Sequence, residues 1–379
     1  MSKNFNYNTD LPKHYVRYNG WLPTFRAIRN YVDRLYRSSQ RDKRCKYLTF
    51  CAMQAVDVFM FEQQKFLYRE PETKRLSNVY FFENEIEAYT TISRLIGSES
   101  QGFYGDFQKV ILQDIENEVI SDDPFNEPSS EIDREDVRLK EVKKNVLQVF
   151  PFDVINLDFY GNFFPSSEER YSEACRAYTE ILKLQKLNNG YTCARFAMFL
   201  TVYTPVREGV INENAMSQLQ ETLFANMAYD SFRKAFSAKY GNLQPNQIDF
   251  HLKFILGFTK QIIFKESYKN GWCPEMKNIF CYERTKQNGE NYMISTFIVE
   301  YKRNSELDHL QDLDGAVPGI VREDYLQQLQ QIIENEPSII SGNDEDIPGD
   351  VRENLNTVIE FRKNFLASIG IEGDQPFIN

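Results

Sequence analysis

Nothing in the sequence stays apolar long enough to cross a bilayer, which takes about 18–20 uncharged apolar residues in a row. The opening residues, MSKNFNYNTDLPKH, hold no apolar core of the kind a secretory leader needs, so a cytoplasmic protein is expected. Histidine is scarce. His14, His251 and His309 stand far apart, which argues against a histidine-built metal centre. The six cysteines (Cys45, Cys51, Cys175, Cys193, Cys273, Cys281) show no CxxC spacing, so reduced thiols are expected rather than a disulfide frame or a zinc site. No repeat of solenoid period is present.

What is there supports a sizeable core: 42% of the 379 residues are hydrophobic and 14% aromatic. The net charge of −11 is unevenly spread. Residues 13–46 carry ten Lys/Arg against Asp33 and Asp42, a local balance of +8. Residues 304–379 carry sixteen Asp/Glu against Arg322, Arg352, Arg362 and Lys363, a balance of −12. The overall acidity therefore does not exclude an anionic partner, because the repulsion is confined to one segment.

Residues 1–12 read as loose and polar. The spacing of Phe25, Ile28, Val32 and Leu35 predicts a helix from Thr24, as N-cap, to about Gln40. Strands are expected at Lys46–Cys51, Asn78–Phe82 and from Phe103, with helices at Val56–Phe66 and Ile86–Leu95 between them. Residues 113–149, acidic and interrupted by Pro124 and Pro128, read as an insertion ending in a helix over 136–146. Phe150–Leu157 is a fourth buried strand, stopped by Asp158-Phe159-Tyr160-Gly161. Ser166 or Ser167 is placed to cap a helix reaching Leu187, and Tyr191–Thr204 is a fifth strand. Two helices over 212–240 and 246–268 follow, then a turn at 270–274. Strands at 279–284 and 293–302 flank Asn288-Gly289, a strong hairpin signal, and helices near 323–335 and 350–368 close the chain. Strand–helix alternation of this kind predicts an α/β fold with a mostly parallel central sheet ending in an antiparallel hairpin. Three segments result: a basic helical one (1–44), the α/β domain (45–303, with insertions 113–149 and 212–268), and an acidic helical one (304–379).

A parallel sheet ending in such a hairpin resembles the Rossmann-like fold of S-adenosylmethionine-dependent methyltransferases, over roughly residues 45–303. Phe82-Glu83 is similar to that family's acidic residue after the second strand, and Asp106-Phe107 to its acidic–aromatic pair after the third. Asn156-Leu157-Asp158-Phe159-Tyr160-Gly161 resembles the fourth-strand motif of nitrogen-directed members, closest to that of tRNA guanosine dimethyltransferases. The glycine-rich motif is degenerate: Thr49 falls at its acid, and Cys51, Met53 and Ala55, with Ala52 between them, at its glycine loop. Phe159 stands where the family has proline.

The resemblance implies S-adenosylmethionine as cofactor, held by Cys51, Ala52, Met53, Ala55, Glu83, Asp106 and Phe107. It implies a nucleic-acid base as target, in RNA ahead of DNA, handled by Asn156, Asp158, Phe159 and Tyr160. Asp158 would accept the hydrogens of a poorly nucleophilic amine and Tyr160 would stack on the base, so that positioning supplies most of the rate. The basic residues of 13–46 would grip phosphates, with Tyr15, Tyr18 and Trp21 available for stacking. The acidic tail could serve a protein partner or dimer. Plainer readings stand beside these. Glu83 can be a helix-start carboxylate, Asp106 a cap, and the arginines a solvated face. The degenerate loop allows a catalytically inactive binding or regulatory subunit. Asp158, an acid between Leu157 and Phe159, needs a partner if it is buried.

Overall fold

In the computed structural model, residues 11–35, 45–51, 54–115, 131–159, 163, 172–187, 189, 193–204, 217, 221, 223–285, 291–309, 319–340 and 344–370 are described. The strands are β1 (Tyr47–Thr49), β2 (Val79–Glu83), β3 (Gly102–Tyr104), β4 (Val154–Asp158), β5 (Arg195–Thr204), β6 (Trp272–Thr285), β7 (Asn291–Arg303) and β8 (Ser338–Ile340). They form an eight-stranded sheet in the order β3-β2-β1-β4-β5-β7-β6-β8. The ladders β1–β2, β2–β3, β1–β4 and β6–β8 are parallel, whereas β5–β7 and β6–β7 are antiparallel. The chain is therefore α/β with a mostly parallel sheet that runs into an antiparallel hairpin, as its alternation predicts. No helix among the described residues is long and apolar enough to cross a membrane.

Two compact units divide the chain, and the division falls within β4. The first consists of Met1–Phe25, Asn156–Leu182 and Ala194–Glu353. Among the described residues its N-terminal stretch is helical from Leu11 onward: α1 (Leu11–Val16), a π-helical turn at Arg17–Trp21, and the start of α2 (Leu22–Leu35). Leu11 and Pro12 are thus buried helical residues, not loose ones, and Thr24 lies inside a helix rather than capping it. The apolar residues Val16 and Trp21 continue the stripe of α2 backwards, and burying them sets the helix start earlier. Trp21 stacks on Phe199 of β5 with ring centroids 5.0 Å apart. Gly20 permits this approach, because a Cβ there would meet Ile298 Cδ1 at 2.2 Å and Phe280 Cε2 at 2.6 Å.

Besides its strands, the described residues of this unit form α7 (Glu173–Leu184, mostly), α8 (Asp230–Tyr240), α9 (Phe250–Phe258), a second π-helical turn at Thr259–Phe264, α10 (Lys265–Lys269) and α11 (Gly319–Asn335). Ser172 caps α7, its Oγ accepting from Cys175 N at 3.2 Å; Ser166 and Ser167 lie outside the described residues, as do Asn288-Gly289. The turn expected at 270–274 is corrected from Trp272 onward, since Trp272–Pro274 belong to β6 and pair with Arg303–Tyr301. Trp272 is fully buried and donates its indole N–H to Leu182 O at 2.8 Å, which satisfies the one polar atom the ring takes inside. β8, unforeseen from sequence, adds a parallel strand beside β6.

The second unit consists of Arg26–Ile155, Lys183–Cys193 and Asn354–Asn379. It holds β1–β3, the start of β4, α3 (Val56–Gln63), α4 (Ile86–Ile96), α5 (Phe107–Ile111), α6 (Glu131–Val149) and most of α12 (Gly349–Ser368). β1 has β2 on one side and β4 on the other, so Tyr47, Leu48 and Thr49 are all fully buried. The helix of the expected insertion, α6, is longer than its periodicity predicts. It buries Leu139 and Val146, and its Lys143 ammonium donates to Ile111 O (2.6 Å) and Gln113 O (2.9 Å).

Candidate functional site

In open α/β sheets, ligands bind beyond the carboxyl ends of the parallel strands, so those ends are where site residues are sought. In the second unit, β1 ends at Thr49. Thr49 and Tyr47 point to the same side of the strand, two residues apart. Both hydroxyls donate to one carboxylate oxygen, Oδ2 of Asp57, at 2.8 and 2.7 Å. Asp57 is buried in the first turn of α3, where the helix dipole favours a negative charge. The Thr49 hydroxyl at the strand end is thus anchored by a carboxylate of the following helix. Ala55, just before α3, takes the left-handed backbone (φ 46°, ψ 40°) that glycine normally supplies. Ala52 and Met53 lie outside the described residues.

Cys51 is buried, and burial lifts its thiol well above its usual pKa, with the charges of Asp57 and Glu83 adding to the effect. Burial thus disfavours the thiolate, the nucleophilic form. β1 and β2 run parallel with Thr49 opposite Phe81, so Glu83, at the end of β2, stands beside the end of β1. Glu83 Oε1 accepts the backbone N–H groups of Asn84 (2.8 Å) and Glu85 (3.0 Å), the residues leading into α4. The helix-start role is therefore real, yet Oε2 takes part in neither bond. Burial raises the Glu83 pKa, and the two backbone N–H groups oppose that rise. Phe107 packs against Phe50 and Phe82, with ring centroids 4.7 and 5.0 Å away. Asp106 acts as the plainer reading expects, capping α5 by accepting from Lys109 N at 3.1 Å.

In the first unit, Asp158 ends β4 with its side chain 7% exposed, and it forms an ion pair with the Lys13 ammonium of α1. The partner that burial demands is thus a residue of the N-terminal helix. Phe159 N donates to Thr201 O at 3.0 Å, and its ring packs edge-on to Phe163, which in turn meets Phe258. Phe159 and Asn156 are buried core residues. Tyr160 lies outside the described residues. Trp21, foreseen as a stacking residue, is only 1% exposed, so it serves the core. Among the described residues, no group of three His, Cys, Asp or Glu side chains could hold a metal ion.

Residues 138–335, more than half of the chain, match the family model described as PP_RS20740-like. The chain belongs to the PP_RS20740-like family. The PP_RS20740-like match takes in β4 with Asp158, β5, the β6–β7 hairpin and α11, and stops short of β1–β3 with Asp57 and Glu83. No curated protein and no solved structure matches the chain.

Of the residues singled out from sequence, the structure brings Cys51, Glu83 and Phe107 to one end of β1–β3, and sets Asp158 against Lys13. Asp57 was missed, and Lys13, expected with the other basic residues of 13–46 to grip phosphate, is instead paired with Asp158. The Glu83 environment has a testable consequence. Folding raises its pKa, so its favourable contribution is complete below the unfolded-state value and is lost as pH rises through the folded-state value. Glu83→Gln should therefore gain in urea midpoint relative to the parent between pH 4 and pH 7. Parallel profiles would show that Glu83 is not burdened by burial.

Proposed function

We propose that the chain is a methyltransferase-like protein that binds S-adenosylmethionine beyond the ends of β1 and β2 and acts on a nucleic-acid base, RNA rather than DNA. The supporting observation is Glu83. Its Oε1 is committed to the α4 N-terminus while Oε2 remains outside those bonds, at a strand end where a ribose hydroxyl pair needs an acceptor. The left-handed backbone at Ala55 also suits the close approach of a ligand to the β1 turn. S-adenosylmethionine supplies, when bound, an electrophilic methyl group. Glu83 would fix the ribose, and the Phe50–Phe107 rings would give an apolar wall. In the first unit, Asp158 would accept amine hydrogens from a target base and favour a pyramidal nitrogen.

Calorimetric titration with S-adenosylmethionine tests this reading. Glu83→Ala should weaken binding about 10- to 100-fold, the worth of charge-assisted hydrogen bonds of about 1.5–3 kcal/mol. Asp158→Ala should leave that affinity unchanged. No heat with the parent protein would sink the reading.

One observation favours a second reading, that of a catalytically inactive binding or regulatory subunit. The ammonium of Lys13 already supplies donors to Asp158, where a target amine would have to place its own. S-adenosylmethionine binding without methyl transfer to mixed RNA and DNA would establish this alternative.

A further inference from the structure

We infer that the face of the second unit formed by Arg26, Arg29, Lys65, Phe66 and Tyr68 is a docking platform for single-stranded nucleic acid. The inference takes its class of partner from the function proposed above but not its cofactor. Arg26 and Arg29 are three residues apart on α2 and project from the same helical face. Both guanidinium groups lie over one ring, Phe66, at 5.7 and 5.6 Å from its centroid. Lys65, the residue before that ring, is exposed and held in the left-handed region at φ 58°. Against these three cations stands Asp33, 3.7 Å from Arg29 and itself well exposed.

Like charges gathered over one ring repel unless an anion joins them. Contact with the shared ring favours conformers that keep both guanidinium groups at this one surface, leaving less freedom to lose when a phosphate binds. Beside this cluster the surface is aromatic. Phe66 and Tyr68 line the mouth of one small crevice, together with the buried Leu67 and Leu76, and Tyr68 is 51% exposed. Cations beside an exposed aromatic match a chain that alternates phosphates with unstacked bases. A duplex keeps its bases stacked inside and offers Tyr68 nothing, and an acidic peptide would engage the arginines alone.

Fluorescence anisotropy with labelled mixed-sequence oligonucleotides, single-stranded RNA, single-stranded DNA and a duplex of the same length, tests this on the full chain across a salt series. Single strands should bind more tightly than the duplex. Arg26→Gln/Arg29→Gln should weaken binding and reduce the slope of log affinity against log salt by about 1.4, from about 0.7 per lost phosphate contact. Tyr68→Ala should weaken binding about 5- to 100-fold with the slope unchanged, and Tyr68→Phe should restore it. Equal binding of the duplex, equal competition by polyglutamate, or an unchanged slope in the double variant would each overturn the platform. S-adenosylmethionine titrations of the same variants should match the parent, so failure here and failure of the Glu83 reading are separable.

Discussion

Arg69→Ala should lose about 3–5 kcal/mol of stability, the cost of removing one member of a buried ion pair and stranding the other. Arg69 is 8% exposed at its side chain and forms a two-pronged pair with Glu62, Nε to Oε1 at 2.7 Å and Nη2 to Oε2 at 2.8 Å. Its Nη1 donates to the carbonyls of Lys74 (2.6 Å) and Leu95 (2.8 Å), which ties the segment after α3 to the end of α4. The guanidinium lies 4.0 Å from the Phe365 ring centroid, so it also forms part of the seat of α12. Phe59 completes that seat, 5.7 Å from Phe365. Urea unfolding of the variant should show a lower midpoint, and amide exchange should accelerate in α12 before the sheet. Arg69→Lys should recover little, because an ammonium keeps the charge but cannot reproduce the fork. A loss below about 1 kcal/mol would mean that water enters and replaces the guanidinium.

Lys13→Met should cost about 3 kcal/mol by leaving the Asp158 carboxylate buried without its cation. The pair is 16% and 7% exposed, which puts it closer to the buried than to the surface limit. The double variant Lys13→Met/Asp158→Leu should recover most of the loss, since two apolar side chains can replace a buried pair at little cost. The double-mutant cycle isolates this coupling from packing changes at α1. Additive single effects would show that the two groups do not depend on each other, and would remove the objection that Lys13 raises to Asp158 as a catalytic group.

The parallel half of the sheet was legible because Tyr47–Thr49, Val79–Glu83 and Val154–Asp158 are apolar runs with abrupt ends, as strands covered on both faces must be. β8 was not legible. It is three residues long, two of them exposed, and only its pairing with Phe280–Tyr282 defines it. The start of β6 was hidden by Asn270-Gly271 and Pro274, whose turn signals yield to an extended ladder with β7. At the site, strand-end acids such as Glu83 could be located from local pattern alone. Asp57 could not, because its carboxylate acts across eight residues from within a helix. The burial cost of Asp158 required a cation, but nothing local distinguishes Lys13, 145 residues earlier, from the chain's other cations.

The unit that begins at Arg26 is closed by residues beyond Asn354, and this interleaving bears on synthesis. Phe365 leaves the ribosome roughly 300 residues after Arg69, on the order of 15–60 s later at 5–20 residues per second. Until then the apolar seat around Phe59 lacks its cover, and nascent chains are exposed to chaperones and proteases for most of translation.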